Sequence, residues 1–289
     1  MTESKLSAGV VLYQPNPNVI LTLNCYADHF NTLYLVNNGS AESIDFLSIL
    51  RNRENVIFIS YGENLGIGRA LNDIIVQSRI DRMDGVFLFD QDSSPNGKML
   101  EKMEMSMINF PDVGVFVPHH VTRDGRIVKV DHAIGNHLIS ITSGMLVNLS
   151  IVKNDIIHDE SLFIDYVDID FFIKAIAYKI KVKKVDTAFL SHELGNPESI
   201  KIFGFRLLST NHSSSRRYYI AKNRMVIFKR YFVKYPFWSI RQLRRYFTEV
   251  ISIILIDKNK KRKLSNYFLG IVHGVLDSKN HKGRSDNIL

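Results

Sequence analysis

Two aspartates one residue apart, Asp90 and Asp92, close a hydrophobic run that reads Phe87-Leu88-Phe89-Asp90-Gln91-Asp92-Ser93. Carboxylates are hard oxygen donors. At the end of a strand they suit Mg²⁺ or Mn²⁺, a cation able to bridge a diphosphate and offset the charge that gathers on a departing phosphate. This is a nucleotide-sugar site in outline, although a lone DxD also arises by chance as two solvated loop acids. Val36-Asn37-Asn38-Gly39-Ser40 and Glu63-Asn64-Leu65-Gly66-Ile67-Gly68-Arg69-Ala70-Leu71-Asn72 give it company. The amides of Asn37, Asn38, Asn64 and Asn72 could hydrogen-bond a pyrimidine base, and small residues such as Gly66 could leave backbone N–H groups open to phosphate. Each stretch taken singly is an ordinary turn.

A second acidic group, Asp165, Asp168 and Asp170, crowds three negative charges into six residues. Helix capping accounts for one or two of them. The surplus suits a carboxylate that takes a proton from an attacking hydroxyl, because crowding raises the pKa of one member towards neutrality. Asp168 is the first choice as base and Asp165 the second. Ser143-Gly144 would set a small residue and backbone N–H groups beside donor or acceptor, or else mark a strand bulge. Arg216, Arg217, Tyr218 and Tyr219 could clamp a diphosphate, or equally open a surface helix.

These residues need elements to carry them. Short β-branched runs at Ala8–Tyr13, Leu33–Asn37, Val56–Ser60, Val86–Phe89 and Val113–Val117 predict strands. Apolar spacing of three to four predicts helices over Asn18–Phe30, Ala41–Arg53, Gly68–Arg79 and Asn96–Phe110. Alternation of this kind makes a mainly parallel sheet covered on both faces, with ligands beyond the carboxyl ends of the strands. After Pro118 the pattern predicts antiparallel strands at Ile127–Val130 and Ile139–Val147, a helix at Asp168–Tyr178 and a strand at Lys181–Val185. The segment His192–Ser215, rich in Ser, Asn, Gly and His, reads as a mobile loop. The expected division is a catalytic domain over 1–215, with a nucleotide-sugar half 1–118 and an acceptor half 119–215, followed by a basic helical region 216–289.

Charge is divided the same way. Residues 1–215 hold 19 Lys and Arg against 25 Asp and Glu, a net −6, whereas residues 216–289 hold 18 against 4, a net +14. In the basic segment Phe228, Tyr231, Phe232, Phe237, Trp238, Tyr246 and Phe247 alternate with the cations, a mixture that suits an anionic membrane surface. Ordinary helices with solvated cations outside would look alike. A nucleic-acid-binding reading of the tail leaves the acidic loops of the first domain unexplained, so no nucleic acid is expected as partner. Self-association is compatible with the sequence. The single cysteine, Cys25, excludes a disulfide framework and a cysteine-based zinc cluster. No apolar run approaches the roughly 18 to 20 residues of a spanning helix, and the first residues lack an export leader. The expected location is the cytoplasm, at the inner face of the cell membrane.

Over nearly its whole length the sequence resembles the family 2 inverting glycosyltransferases, and within them the bacterial rhamnosyltransferase branch. The matching stretches are VVLYQPN, VNNGS, NLGIGRALN, FLFDQDSSP, TSGMLV, DESLFIDYVDIDFFIKA, FLSHELG and RRYYIAKNR, whose order and spacing are more specific than any one of them. The resemblance implies an α/β fold of GT-A type, a Rossmann-like mixed sheet flanked by helices, here with a basic amphipathic helical appendage. It implies Tyr13 and Asn37 at the nucleoside, Asp90 and Asp92 at ribose, diphosphate and metal, Asp168 as base, and His192 as a further metal or phosphate ligand. It points to dTDP-L-rhamnose as donor and a growing, lipid-linked surface polysaccharide such as O-antigen or capsule as acceptor. A UDP-hexose or UDP-galactofuranose donor would keep the same motifs. The chain departs from the family at Asn37, where Asp is usual, at Val167-Asp168, where an acidic pair is usual, and at Lys174, where Arg is usual. The amide oxygen of Asn37 can still accept from a pyrimidine N3–H. A nucleotidyltransferase would instead show a Gly-rich basic loop after the first strand, where this chain reads Tyr13-Gln14-Pro15-Asn16-Pro17. A glycosyltransferase fold kept only for binding would have little use for the intact acids.

Overall fold

The computed structural model describes residues 4–277 except 97, 123–124, 129–131, 155, 193–197 and 203–204. These form two compact units, Met1–Phe163 with Val167–Glu193 and Ile164–Tyr166 with Leu194–Leu289.

The first unit alternates strands and helices: β1 (Leu6–Leu12), α1 (Val19–His29), β2 (Thr32–Asn37), β3 (Val56–Ser60), α2 (Ile67–Ile80), β4 (Gly85–Asp90), β5 (Ser93–Asn96), α3 (Met99–Asn109) and β6 (Val115–Val121). It continues through β7 (His132–Ile134), β8 (His137–Ile139), β9 (Met145–Asn148), α4 (Val167–Ala177) and β10 (Val182–His192). Eight of these strands make one mixed sheet in the order β3-β2-β1-β4-β9-β6-β10-β5. β3, β2, β1 and β4 run parallel, and β9 enters antiparallel between β4 and β6. Every residue of β1 is buried, as a parallel strand covered on both faces requires. Phe87 and Phe89 point from β4 towards α1, where the Tyr26 and Phe89 rings lie 4.4 Å apart and the Phe30 and Phe87 rings 5.2 Å apart. Strands from both expected halves, 1–118 and 119–215, thus interleave in a single sheet.

Four expectations are altered by packing. Ala41–Asn52 winds as 3-10 turns instead of an α-helix. Its buried Ile44, Leu47 and Leu50 recur every third residue, which matches three residues per turn. The expected strand Ile139–Val147 is broken into β8, which pairs with β7, and β9, which joins the main sheet. Of Ile127–Val130, Ile127 makes an isolated bridge with Val121, while 129–130 lie outside the described residues. β10 runs seven residues further than Lys181–Val185 suggested, through a register shift between Lys184 and Phe189.

The second unit contains β11 (Glu198–Ile202), β12 (Phe205–Ser209), α5 (Ser214–Tyr231), α6 (Pro236–Leu255) and α7 (Lys260–Leu276). The expected loop His192–Ser215 therefore holds a hairpin, paired from Glu198↔Ser209 to Ile202↔Phe205. Its polar composition hid the pairing of Ile200 with Leu207. The unit reaches beyond the expected boundary at 216 because α5 also binds the short segment Ile164–Tyr166, described below. α7 lies close against α5, and a Cβ on Gly270 would fall 2.3 Å from the Tyr218 carbonyl oxygen. Charge is buried here: Arg224 donates to the Tyr166 hydroxyl at 2.6 Å, to Tyr267 at 3.0 Å and to Glu249 at 3.1 Å.

Candidate active site

β4 ends where its buried residues run out, and the turn that follows is held by side chains from four directions. Gln91 clasps the backbone of Tyr13 at the end of β1: Tyr13 N–H donates to Oε1 at 2.8 Å and Nε2 donates to the Tyr13 carbonyl at 3.1 Å. Asp90 N–H donates to Ser143 Oγ at 3.2 Å, and Ser143 Oγ also shares a 2.6 Å hydrogen bond with Ser93 Oγ. Tyr26 donates its hydroxyl to the Ser93 carbonyl at 2.9 Å. Burial, followed by the charges of Cys25, Asp90 and Asp92, pushes this phenol well up, which keeps it a neutral donor. His120 Nε2 lies 2.9 Å from the Ser143 carbonyl and fixes the post from behind. The turn so gripped leaves Asp90 half-buried and Asp92 exposed at the carboxyl end of the central strand.

β5 leaves this turn antiparallel to β10, with Ser93 opposite His192. The backbone of His192 therefore lies alongside the residue that follows Asp92, while its side chain lies outside the described residues. Among the described residues no group of three His, Cys, Asp or Glu side chains forms a metal cluster. Two carboxylates on a rigid turn are nonetheless a donor set that fits Mg²⁺ or Mn²⁺, which take few protein ligands and complete their shell with phosphate oxygens and water.

The amide residues sort differently. Asn37 is buried, and its Nδ2 donates to the Ser40 carbonyl at 2.8 Å and to Ser60 Oγ at 3.3 Å. Asn38 Oδ1 accepts Leu65 N–H at 2.8 Å, and Asn64 Oδ1 accepts Gly66 N–H at 2.9 Å, so both shape the loop expected to meet the donor. Asn72, read as a donor contact, lies on the buried face of α2 with both ends engaged. Its Oδ1 accepts His158 N–H at 2.8 Å, and its Nδ2 donates to the His158 carbonyl and to Glu160, each at 3.0 Å. Gly66, at φ 89°, has its Cβ direction filled by Phe163, whose Cα and carbonyl oxygen would lie 2.9 Å away. Only glycine allows that approach.

Geometry gives three further residues partners within the protein. Ser143 is fully buried and holds the DxD turn. Gly144 gives its N–H to the Leu88 carbonyl at 2.7 Å and so belongs to the sheet. Arg217, read as a diphosphate clamp, is buried in the second unit, 3.0 Å from Asp257 and 3.1 Å from Ser209 Oγ. Its charge balances Asp257. Burial opposes ionisation of that carboxyl, yet hydrogen bonds from Ser209 and Lys263 and the charge of Arg217 hold it below the usual range. Nothing in the spacing of Arg216 and Arg217 reveals which of the two turns inward.

The acidic segment separates its three members. Asp170 is fully buried and pairs with Lys174 at 2.7 Å. Asp165, the second choice as base, belongs to the second unit, where Arg216 grips its carboxylate at 3.1 and 3.2 Å. Asp168 stands in the first turn of α4, half-buried, with Oδ1 accepting Ile169 N–H at 2.8 Å. The approach to α4 is unusual: Phe163, Asp165 and Tyr166 all have positive φ, at 60°, 60° and 66°. Each such residue costs about 1–3 kcal/mol and persists where its surroundings over-determine it. His158 was not singled out by sequence reasoning, yet it stacks on Phe171 of α4 at 4.6 Å and burial pushes its pKa down to about 3. Gln91 was also missed as a clasp; alternation along an extended strand end turns it away from the neighbouring Asp90 and Asp92 and was the available signal.

No family model matches the chain. It is 27% identical over 296 aligned positions to the Shigella flexneri dTDP-rhamnosyl transferase RfbF, an alignment that covers 94% of this chain and 96% of that protein. Among solved structures, residues 1–349 of S. aureus TarS superpose with a TM-score of 0.58 at 18% identity, over 94% of this chain and 81% of that one. The TarS complex with UDP-GlcNAc gives a TM-score of 0.59 at 15% identity, over 94% and 80% of the two chains. At such identities the TarS likeness concerns the fold, a mixed sheet of GT-A type. Joined to that fold, the ordered strand-end motifs make the chain similar along almost its whole length to a protein described as a dTDP-rhamnosyl transferase.

Proposed function

We propose that the enzyme moves L-rhamnose from dTDP-L-rhamnose, with inversion, onto a hydroxyl of a growing lipid-linked surface polysaccharide such as O-antigen or capsule. The observation that carries this reading is the clasped Asp90-Gln91-Asp92 turn at the end of β4, in a chain similar throughout to a protein described as a dTDP-rhamnosyl transferase. Tyr13, whose backbone Gln91 fixes and whose side chain is exposed, would flank the nucleoside with Asn37. Asp90 and Asp92, with His192, would hold a divalent cation, which when bound offsets charge on the leaving diphosphate. Asp168 would accept the acceptor's hydroxyl proton as that oxygen bonds to the anomeric carbon. The bond from that carbon to the diphosphate breaks, and its electron pair leaves with dTDP.

The acceptor half of the reading draws on the second unit. Phe237, Ile240, Phe247, Ile251 and Ile254 are exposed along one face of α6, and Phe268, Val272 and Val275 are exposed on α7. Arg241, Arg244, Lys258, Lys260, Lys261 and Arg262 are exposed as well. Apolar side chains among cations complement an anionic lipid surface, with the protein lying at the inner face of the membrane. Among the described residues no helix is long and apolar enough to cross it.

The test is turnover of a panel of sugar nucleotides with a membrane extract as acceptor, with and without Mn²⁺, on the parent, Asp92→Ala and Asp168→Asn. Exclusive use of dTDP-rhamnose, with each substitution lowering kcat by roughly 10²-fold or more, supports the reading. Preference for UDP-hexose or UDP-galactofuranose overturns the donor, and full activity in Asp168→Asn overturns the base. Co-sedimentation with phosphatidylglycerol vesicles but not phosphatidylcholine vesicles supports the surface, and equal partitioning overturns it.

A further inference from the structure

Backbone pairing between β1 and β4 ends at Val11 and Asp90. Beyond that rung the two chains part. Gln14 takes φ 45°, which turns the chain off the line of β1 directly after Tyr13, while the other chain passes through Asp92 into β5, which pairs with β10. One further rung is nevertheless made, by a side chain: the Gln91 amide accepts Tyr13 N–H at 2.8 Å and donates to the Tyr13 carbonyl at 3.1 Å. A carboxamide offers the same donor and acceptor as a peptide group, so Gln91 prolongs the ladder where the strand ends separate. Water competes for hydrogen bonds at so exposed a position, and the rung adds little to stability there. Its two sides carry the residues expected to meet the donor: Tyr13, exposed, on one strand end, and Asp90 and Asp92 on the other.

We infer that Gln91 is a positioning residue for donor binding: it holds the end of β1 and the Asp90-Gln91-Asp92 turn at the separation at which one nucleoside diphosphate reaches both. The inference rests on the reading of Tyr13 as a nucleoside contact and of Asp90 and Asp92 as diphosphate and metal contacts. Each half of such a ligand binds weakly alone. Joined halves bind tightly only while their two subsites keep the spacing that the ligand spans. The residue type fits this use. Asparagine is one methylene shorter, ionised glutamate has no proton to give the Tyr13 carbonyl, and methionine matches the length but makes neither bond.

The experiment compares the parent with Gln91→Met, Gln91→Asn and Ser78→Ala in the full chain, reading thermal midpoint and affinity for dTDP, thymidine and inorganic pyrophosphate, each with Mn²⁺. Ser78 is the control because it ties the opposite end of β1, where Ser7 Oγ donates to Ser78 Oγ at 2.9 Å. Both Gln91 variants are expected to bind dTDP about 10-fold more weakly, with thymidine and pyrophosphate each changed less than about twofold. Ser78→Ala should lower the midpoint at least as far while keeping dTDP affinity. Unchanged dTDP affinity in Gln91→Met overturns the inference. An equal loss for thymidine or pyrophosphate also overturns it, by making Gln91 part of one subsite, and an equal dTDP loss in Ser78→Ala does so by showing general loosening of the strand. A parent that binds neither dTDP nor pyrophosphate overturns the donor site on which the inference stands, and that failure is told apart because the parent itself then shows it.

Discussion

The turn after β4 and the interior of the helical unit use polar residues in opposite ways. At the turn, neutral groups do the holding: Gln91, Ser143, Ser93 and Tyr26 fix the backbone, and Asp92 is left exposed. In the helical unit, charges hold one another: Arg224 with Glu249, and Arg217 and Lys263 with Asp257. Neutral hydrogen bonds of this kind place a backbone turn without bringing opposite charge to it. Buried ion pairs cancel charge, so they order helices but recruit nothing. The lesson is that a charged residue's use depends on whether its neighbours are neutral or opposite.

That contrast can be broken by substitution. Arg224→Leu takes its partner from Glu249 and from the Tyr166 and Tyr267 hydroxyls, and should cost about 3–5 kcal/mol in denaturant unfolding of the helical unit. Converting Glu249 to Leu as well should return part of the loss, and a cost below about 1 kcal/mol for the single change would dissolve the comparison. Asn72→Ala should cost about 1–3 kcal/mol, because the His158 backbone loses both partners, while donor KM stays unchanged. A rise in KM without lost stability would return Asn72 to the donor site. Ser143→Ala removes the acceptor for Asp90 N–H and should cost about 1–2 kcal/mol, with kcat falling more than thermal stability alone explains.

The smallest effect is a pH dependence. His158 titrates near 3 when folded, through burial first and the Lys174 charge second, with Asp170 opposing, against about 6.5 when unfolded. The unfolded state therefore binds the extra proton between those values, and stability present above pH 6.5 is lost as pH falls through the interval. Between pH 6.5 and 5.5 the loss is about 1 kcal/mol. His158→Phe keeps the stack on Phe171 and should flatten that part of the profile. An unchanged slope would assign it elsewhere, for instance to His212, whose pKa burial and the nearby Arg216 and Arg217 lower to about 4.

Periodicity alone determined the alternation of strands and helices through β1 to β4, because β1, β2 and β4 are nearly continuous apolar runs that have no other place to go than a sheet covered on both faces. Residue type, crowding and the neighbouring motifs together marked Asp90, Asp92 and Asp168 as the acids to watch, since helix capping accounts for only one or two carboxylates in a group. Tertiary structure decided what sequence spacing cannot encode. It broke Ile139–Val147 so that Ser143 could reach Asp90, and it gave the Asn72 amide to the His158 backbone, 86 residues away. It turned Arg217 inward to Asp257 and left Arg216 to Asp165. A side chain's partner is chosen by chain segments far off in sequence, and hydrogen-bonding capacity is the same whether the partner proves to be a ligand or the protein's own backbone.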